Sequence, residues 1–198
     1  MKRIVLIRHG KAALAGKDQE RELDDDGIVQ ANSLKNKLVN LGLNSSRIYA
    51  SPFKRAIQTI EPFSETNKRI LIEKKNELEE IHMPKDDTLS KHQIIEKMWA
   101  DENFKIQDGL SHKDHYNKIY PFLCDIFKNF KSNKEDLVII SHGVLIGLIL
   151  KFFFELKFGF DDWKTMTMPD IYFLNFDENN NFIEMKRDNT NIERIFKI

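Results

Sequence analysis

The sequence predicts an α/β fold, a three-layer sandwich whose mostly parallel central sheet is flanked by helices. Two patterns carry that expectation. Short β-branched apolar runs alternate with stretches whose apolar residues recur at helical spacing, the order that βαβ units produce. Two histidine-bearing turns, Arg8-His9-Gly10 and Ser141-His142-Gly143, directly follow two of those runs. Open α/β sheets bind ligands at such carboxyl strand ends.

In chain order, the expected strands are Ile4–Ile7, Ile48–Ala50, Ile70–Glu73, Leu137–Ser141, Ile171–Phe176 and 182–186. The turn Glu178-Asn179-Asn180-Asn181 reads as the hairpin loop before the last of them. Ile28, Ala31, Leu34, Leu38 and Leu41 mark one helix, with Asp24 or Asp25 as N-cap and Gly42 as its stop. Ser51-Pro52 reads as the N-cap and first turn of the next. A helix is expected near Leu89–Trp99, and a long one over 112–130 that Pro121 should kink or break. Val144–Leu156 is apolar on nearly every face and should be the most buried helix. Residues 81–111 carry Pro84, Gly109 and mixed charge, as a lid or substrate-facing segment does.

With 198 residues, no composition break and no repeats, one domain spanning 1–198 is expected. Lys+Arg and Asp+Glu are both 31, which lends no support to a nucleic-acid or membrane-surface partner. The run from Leu137 to Phe154 approaches a membrane span in length. It contains Ser141-His142-Gly143 and Lys151, so a buried strand, a turn and a buried helix explain it better. The start, Met1-Lys2-Arg3, is followed by too short an apolar run for a signal peptide, and a cytoplasmic protein is expected. The lone Cys124 lies in an apolar helical stretch and reads as core packing. His112 and His115 have metal-like spacing but no matching carboxylate or cysteine motif, and read as a surface face. The calcium-loop-like run from Glu22 to Gly27 fails at its first and twelfth positions, and no metal or other cofactor is expected.

The residues that carry chemistry suit an anion. At Arg8-His9-Gly10 an imidazole can attack phosphorus, a planar guanidinium can hold two phosphoryl oxygens, and a glycine leaves the approach open. If the strands are parallel, Arg55 after Ala50-Ser51-Pro52, Glu80 behind Ile70–Glu73 and His142 behind Leu137–Ser141 arrive at the same sheet edge. Gly143 then begins a helix, where free N–H groups favour an anion.

The chain resembles the histidine phosphatase, or phosphoglycerate-mutase-like, superfamily in five motifs. They are Arg8-His9-Gly10; Leu23-Asp24-Asp25-Asp26-Gly27-Ile28-Val29-Gln30-Ala31; Ser51-Pro52-Phe53-Lys54-Arg55-Ala56-Ile57-Gln58-Thr59; Leu78-Glu79-Glu80-Ile81; and Ser141-His142-Gly143, in that order. The resemblance implies that His9 is the nucleophile and becomes a phosphohistidine that water hydrolyses. Arg8, Arg55 and His142 would hold the phosphoryl oxygens, a task of positioning and charge stabilisation. Glu80, preferred over Glu79, would protonate the leaving alcohol and later activate water. No metal is implied.

Three readings of the activity follow. The leading one is a metal-independent phosphomonoesterase acting on a small phosphorylated metabolite. The second is a phosphohistidine phosphatase acting on a signalling or phosphotransfer phosphoprotein, favoured by the short loop between Gly10 and Gly27. Leu78-Glu79-Glu80 and Ser141-His142-Gly143 argue instead for oxygen esters. The third is a non-catalytic phosphate-binding module, disfavoured because nucleophile, cationic pocket and acid are all present. Phosphoglycerate mutase activity is disfavoured as well, because Lys11-Ala12-Ala13-Leu14 stands where mutases carry sugar-acid contacts. The segment 81–111, including His82, Lys85, His92 and Trp99, is expected to shape substrate choice.

Overall fold

Alternate residues of the first strand feed two separate cores, and this sets the three layers. Val5 and Ile7 pack with Leu34, Leu38, Ala56 and Ile60 on one face of the sheet. Ile4 and Leu6 pack with Ile95, Met98, Leu123 and Leu145 on the other. The period of two along a strand produces this division when helices cover both faces. The structure, a computed structural model, describes residues 2–84, 86–189 and 192–196. Met1 and Lys85, which entered the sequence reading, lie outside the described residues.

The strands are β1 (Lys2–Arg8), β2 (Arg47–Ala50), β3 (Leu71–Lys74), β4 (Leu137–Ser141), β5 (Asp170–Phe176), β6 (Phe182–Asn189) and β7 (Ile192–Phe196). They form one seven-stranded sheet in the order β3-β2-β4-β1-β5-β6-β7. Pairing is parallel from β3 through β1 and antiparallel from β1 outward. Parallel β1, β2 and β4 therefore end on one edge, and β1 and β4 lie side by side with Arg8 opposite Ser141.

The helices are α1 (Asp25–Asn40), α2 (Lys54–Ser64), α3 (Lys91–Ala100), α4 (His112–Ser132), α5 (Gly143–Leu148) and α6 (Phe160–Lys164). Asp24 caps α1 by accepting from the Gly27 N–H at 2.8 Å, and Gly42 follows its end at φ +58°. The buried face of α1 is Gly27, Ala31, Leu34 and Leu38, whereas the expected Ile28 and Leu41 are exposed. Leu41 is the C-cap residue, one position past the end of α1.

Several other expectations are corrected. α2 starts at Lys54 with Phe53 as N-cap, not at Ser51. α4 is not broken at Pro121, and Pro121 and Asn117, one turn before it, both lie on the exposed side of the helix. Cys124 is exposed on α4 rather than in the core. His112 and His115 are buried rather than on a surface face, with His112 edge-on to Trp99 at 4.7 Å. The apolar stretch after β4 is wholly buried in α5, then widens into a π-helical turn, Ile149–Phe153, and ends short of Leu156. Among the described residues no helix is long and apolar enough to cross a membrane.

Candidate active site

His9 leaves the end of β1 with its backbone N–H still donating across to the Ser141 carbonyl at 3.1 Å. Its Nδ1 lies 2.7 Å from the carbonyl of Gly10. A carbonyl only accepts, so Nδ1 carries the proton and Nε2 keeps its lone pair. Nε2 in turn accepts from Nε of Arg55 at 3.1 Å. Burial, then the nearby Arg55, Arg8 and Arg21 charges, push the His9 pKa down to about 3, against the bond to Gly10. At neutral pH the ring is uncharged with its free nitrogen toward the cationic groups.

One helical segment explains the long motif around Arg55. Ser51, in the turn before α2, holds His142, its Oγ lying 2.8 Å from His142 Nε2. Arg55 reaches His9. Gln58 accepts from the Leu23 N–H at 2.8 Å, and Thr59 accepts from the Gly10 N–H at 2.9 Å. Arg55 and Thr59 are four apart and so share a helix face. Thr59 also back-bonds to the Arg55 carbonyl at 2.6 Å. The spacing of this motif thus records which loops α2 must hold at once.

The second motif does the same from α1. Gln30 accepts from the Lys11 N–H at 2.9 Å. A Cβ on Gly27 would fall 2.0 Å from the Lys11 carbonyl, so only glycine permits that approach.

His142 stands at the end of β4, fully buried, with its ring 5.0 Å from that of His9 in an edge arrangement. Arg55 Nη2 lies 3.4 Å from His142 Nδ1. Burial first, and then His9 and the arginines, hold the His142 pKa well below the ordinary imidazole value. Glu80 lies at the same edge, accepting from the Ile81 N–H at 3.1 Å and the Val144 N–H of α5 at 3.4 Å. Burial raises its pKa, opposed by those two N–H groups, Lys91 and Arg8, so a protonated carboxyl is favoured there.

Arg8 is the fifth group. Its Nη1 donates to the carbonyls of Met166 and Thr167 at 3.0 and 3.3 Å. Among the described residues its buried Nε has no partner. A Cβ on Gly143 would come within 3.2 Å of that Nε, so the glycine after His142 lets the arginine lie against α5.

The structure therefore brings Arg8, His9, Arg55, Glu80 and His142 to one edge of the sheet. A cavity of about 730 Å³ opens beside them, lined by Asp18, Phe53, Glu79, Glu80, His82, Met83 and Leu89 among others. Glu79 shares that wall, but Glu80 is the one bonded to the backbone of α5.

Sequence reading missed two residues here. Asp18 accepts from Arg55 through its carbonyl at 2.5 Å and through its carboxylate at 3.4 Å. Arg21 grips the same Asp18 carboxylate through Nε at 3.0 Å. Both lie in the loop between the first two motifs, where neither periodicity nor a turn signal marks them. Among the described residues no three His, Cys, Asp or Glu side chains cluster as a metal site would.

The sequence pattern of the histidine phosphatase superfamily (branch 1) matches residues 4–189, nearly the whole chain. The chain belongs to that superfamily. As a histidine phosphatase superfamily phosphatase it is 27% identical over 169 residues to the 5''-phosphoribostamycin phosphatase of Niallia circulans, covering 78% of this chain and 79% of that protein. Solved structures share the fold at lower identity. A phosphoserine phosphatase mutant from Entamoeba histolytica, in complex with phosphoserine, matches with a TM-score of 0.67 at 20% identity, covering 92% of this chain and 96% of that one. The mycobacterial glucosyl-3-phosphoglycerate phosphatase complexed with VO3 matches with a TM-score of 0.70 at 20% identity, covering 95% and 98%. The protein histidine phosphatase SixA complexed with tungstate matches with a TM-score of 0.56 at 21% identity, covering 92% and 95%.

Within this superfamily phosphatase the charge arrangement at the cleft is uneven. Arg8, Arg55 and Arg21 face the neutral histidines, while Glu79, Glu80 and Asp18 line the cavity side. The cationic groups thus stand at the histidine end and the carboxyl groups at the cavity end.

Proposed function

We propose that this chain hydrolyses phosphomonoesters of small metabolites without a metal, through a phosphohistidine on His9. The observation that carries the reading is the tautomer of His9. Nδ1–H is committed to Gly10, and Nε2 presents its lone pair beside Arg55. In the first step Nε2 forms a bond to phosphorus as the ester P–O bond breaks. Glu80 gives its proton to the departing alkoxide. In the second, water loses a proton to Glu80 and attacks phosphorus, the P–N bond breaks, and inorganic phosphate leaves. Arg8, Arg55 and His142 hold the oxygens in both steps; positioned charge of this kind carries most of the work in phosphoryl transfer.

The cavity beside Glu80 favours a small-molecule alcohol, since its volume of about 730 Å³ suits a metabolite-sized group. Residues 81–84 and 86–94 supply much of that wall, so the described part of the 81–111 segment is taken as substrate-facing. The relative that acts on 5''-phosphoribostamycin is in keeping with a small phosphoester. A phosphohistidine protein substrate is the second reading, resting on the short loop after Gly10.

The test is turnover of p-nitrophenyl phosphate in EDTA, with trapping of an acid-labile, base-stable phosphoenzyme in wild type and none in His9→Ala. Loss of activity in EDTA, or a phosphoenzyme that survives His9→Ala, overturns the mechanism. A panel of sugar phosphates, nucleotides, phosphoserine and phosphohistidine peptides separates the two substrate classes.

A further inference from the structure

Arg187 on β6 is almost fully buried, distant in sequence from every motif of the site, and makes an unusually complete set of bonds. Its Nε lies 3.1 and 3.0 Å from the two carboxylate oxygens of Asp170, and its Nη2 lies 2.6 Å from one of them. The other side of the same fork reaches Thr165, Nη1 to Oγ1 at 2.9 Å and Nη2 to the carbonyl at 2.5 Å. Asp170 also accepts from the Thr167 N–H at 3.1 Å. The segment 165–167 is thus pinned on one side by Arg187 and Asp170. On its other side, the Met166 and Thr167 carbonyls accept from Nη1 of Arg8.

We propose that Arg187 is a positioning residue for phosphate capture: by clamping Thr165 and Asp170 it fixes the two carbonyls that aim the Arg8 guanidinium. The inference rests on the reading of Arg8 as a phosphate ligand. Two effects of Arg187 combine. It holds the acceptor carbonyls still, which only a planar fork with donors on both sides can do. It also neutralises Asp170, which lies directly across the antiparallel β1–β5 pair from Arg8. A bare carboxylate there would compete with phosphate for the same guanidinium. A buried pair of this kind is seldom a stability device, because apolar replacement is often neutral. A role in orientation accounts for why the fork reaches two backbone-bound partners.

Arg187→Lys keeps the charge and loses the fork. Arg187→Met with Asp170→Asn removes both buried charges together, so neither charge is left unpaired, although Thr165 loses its donors. Both are read by the dissociation constant for inorganic phosphate, by KM against kcat on p-nitrophenyl phosphate, and by thermal melting. On that reading Arg8 already holds the phosphoryl oxygens of the bound ester, so its misplacement should weaken phosphate binding and raise KM, whatever it also takes from kcat. The expected result is a rise of about tenfold or more in KM and in the phosphate dissociation constant, as loss of a charged hydrogen bond gives. Ile126→Ala, at the opposite edge of the sheet, gives the baseline for destabilisation alone and should leave phosphate affinity unchanged. Folded variants with wild-type phosphate affinity overturn the proposal. So does unfolding of both, which makes the pair merely structural. Arg8→Ala keeps the two ideas apart: if it is silent, the reading of Arg8 fails, whereas if it weakens phosphate and the Arg187 variants do not, only the positioning role falls.

Discussion

Arg55 donates from Nε to Nε2 of His9 at 3.1 Å, so the nitrogen free to attack phosphorus is already held by the group that would hold the phosphate. The contact is compatible only with neutral His9, and burial with the surrounding arginines pushes its pKa down to about 3. An ordinary imidazole nucleophile loses activity as pH falls through its usual range near 6.5. Here kcat/KM, corrected for ionisation of the substrate, should show no acid limb in that range. Its decline should come on the alkaline side, as Glu80, whose pKa is raised, gives up its proton. An acid limb centred near the free-imidazole value contradicts this account of His9.

Glu80 should matter in proportion to how poor the leaving group is. Removing a general acid costs about 10²–10⁴-fold in rate where protonation is needed. Glu80→Gln should therefore lose that much kcat on alkyl phosphates and far less on p-nitrophenyl phosphate, whose phenolate leaves unaided. Glu79→Gln should change both by little. Equal losses on both esters would remove Glu80 from the acid role.

Asp18 accepts from the guanidinium of Arg55, and its carboxylate is shared with Arg21. A phosphate must compete with that carboxylate for the same donors. Asp18→Asn should lower KM for simple phosphate esters by roughly threefold to tenfold, on the scale of one weakened charge contact. Steady-state kinetics at fixed ionic strength checks this, and a raised KM would show that Asp18 instead braces Arg55.

His112 is fully buried, among the described residues neither ring nitrogen has a partner, and burial pulls its pKa down to about 3. Its folded value lies below its unfolded one, so between about pH 3 and 6.5 the unfolded chain binds the extra proton. Stability therefore falls as pH drops through that window, by up to about 1.4 kcal/mol per pH unit for this histidine. His112→Phe keeps the ring contact with Trp99 and should raise the melting temperature at pH 5 more than at pH 8. An equal gain at both values would mean that His112 does not stay neutral in the folded protein.

The strands and most helices were legible because periodicity reports burial directly. β1 and β4 read as apolar runs since helices cover both of their faces, and α1 read from Asp24, Ala31, Leu34 and Leu38. The failures share a cause. Ser51 has the chemistry of a cap, yet its hydroxyl is taken by His142, and the helix begins at Lys54. His112 and His115 are polar residues on an apolar face, and only packing, with Trp99 against His112, shows that the core accepts them without a partner among the described residues. Cys124 has an apolar neighbourhood in sequence but lies on the outer side of α4.

Sequence by itself determined the α/β class, the strands that carry the site and the five candidate residues, because those depend on local pattern and on motifs with fixed spacing. Tertiary structure alone decided what each of those residues touches. It gave His9 its tautomer through Gly10, placed Asp18 on Arg55, and ran a chain of bonds from Arg187 through the 165–167 segment to Arg8. The longest of these bonds, from Arg8 to the Thr167 carbonyl, spans 159 positions. Hydrogen-bond partners at that separation are set by how layers pack, and no local pattern of residues encodes them.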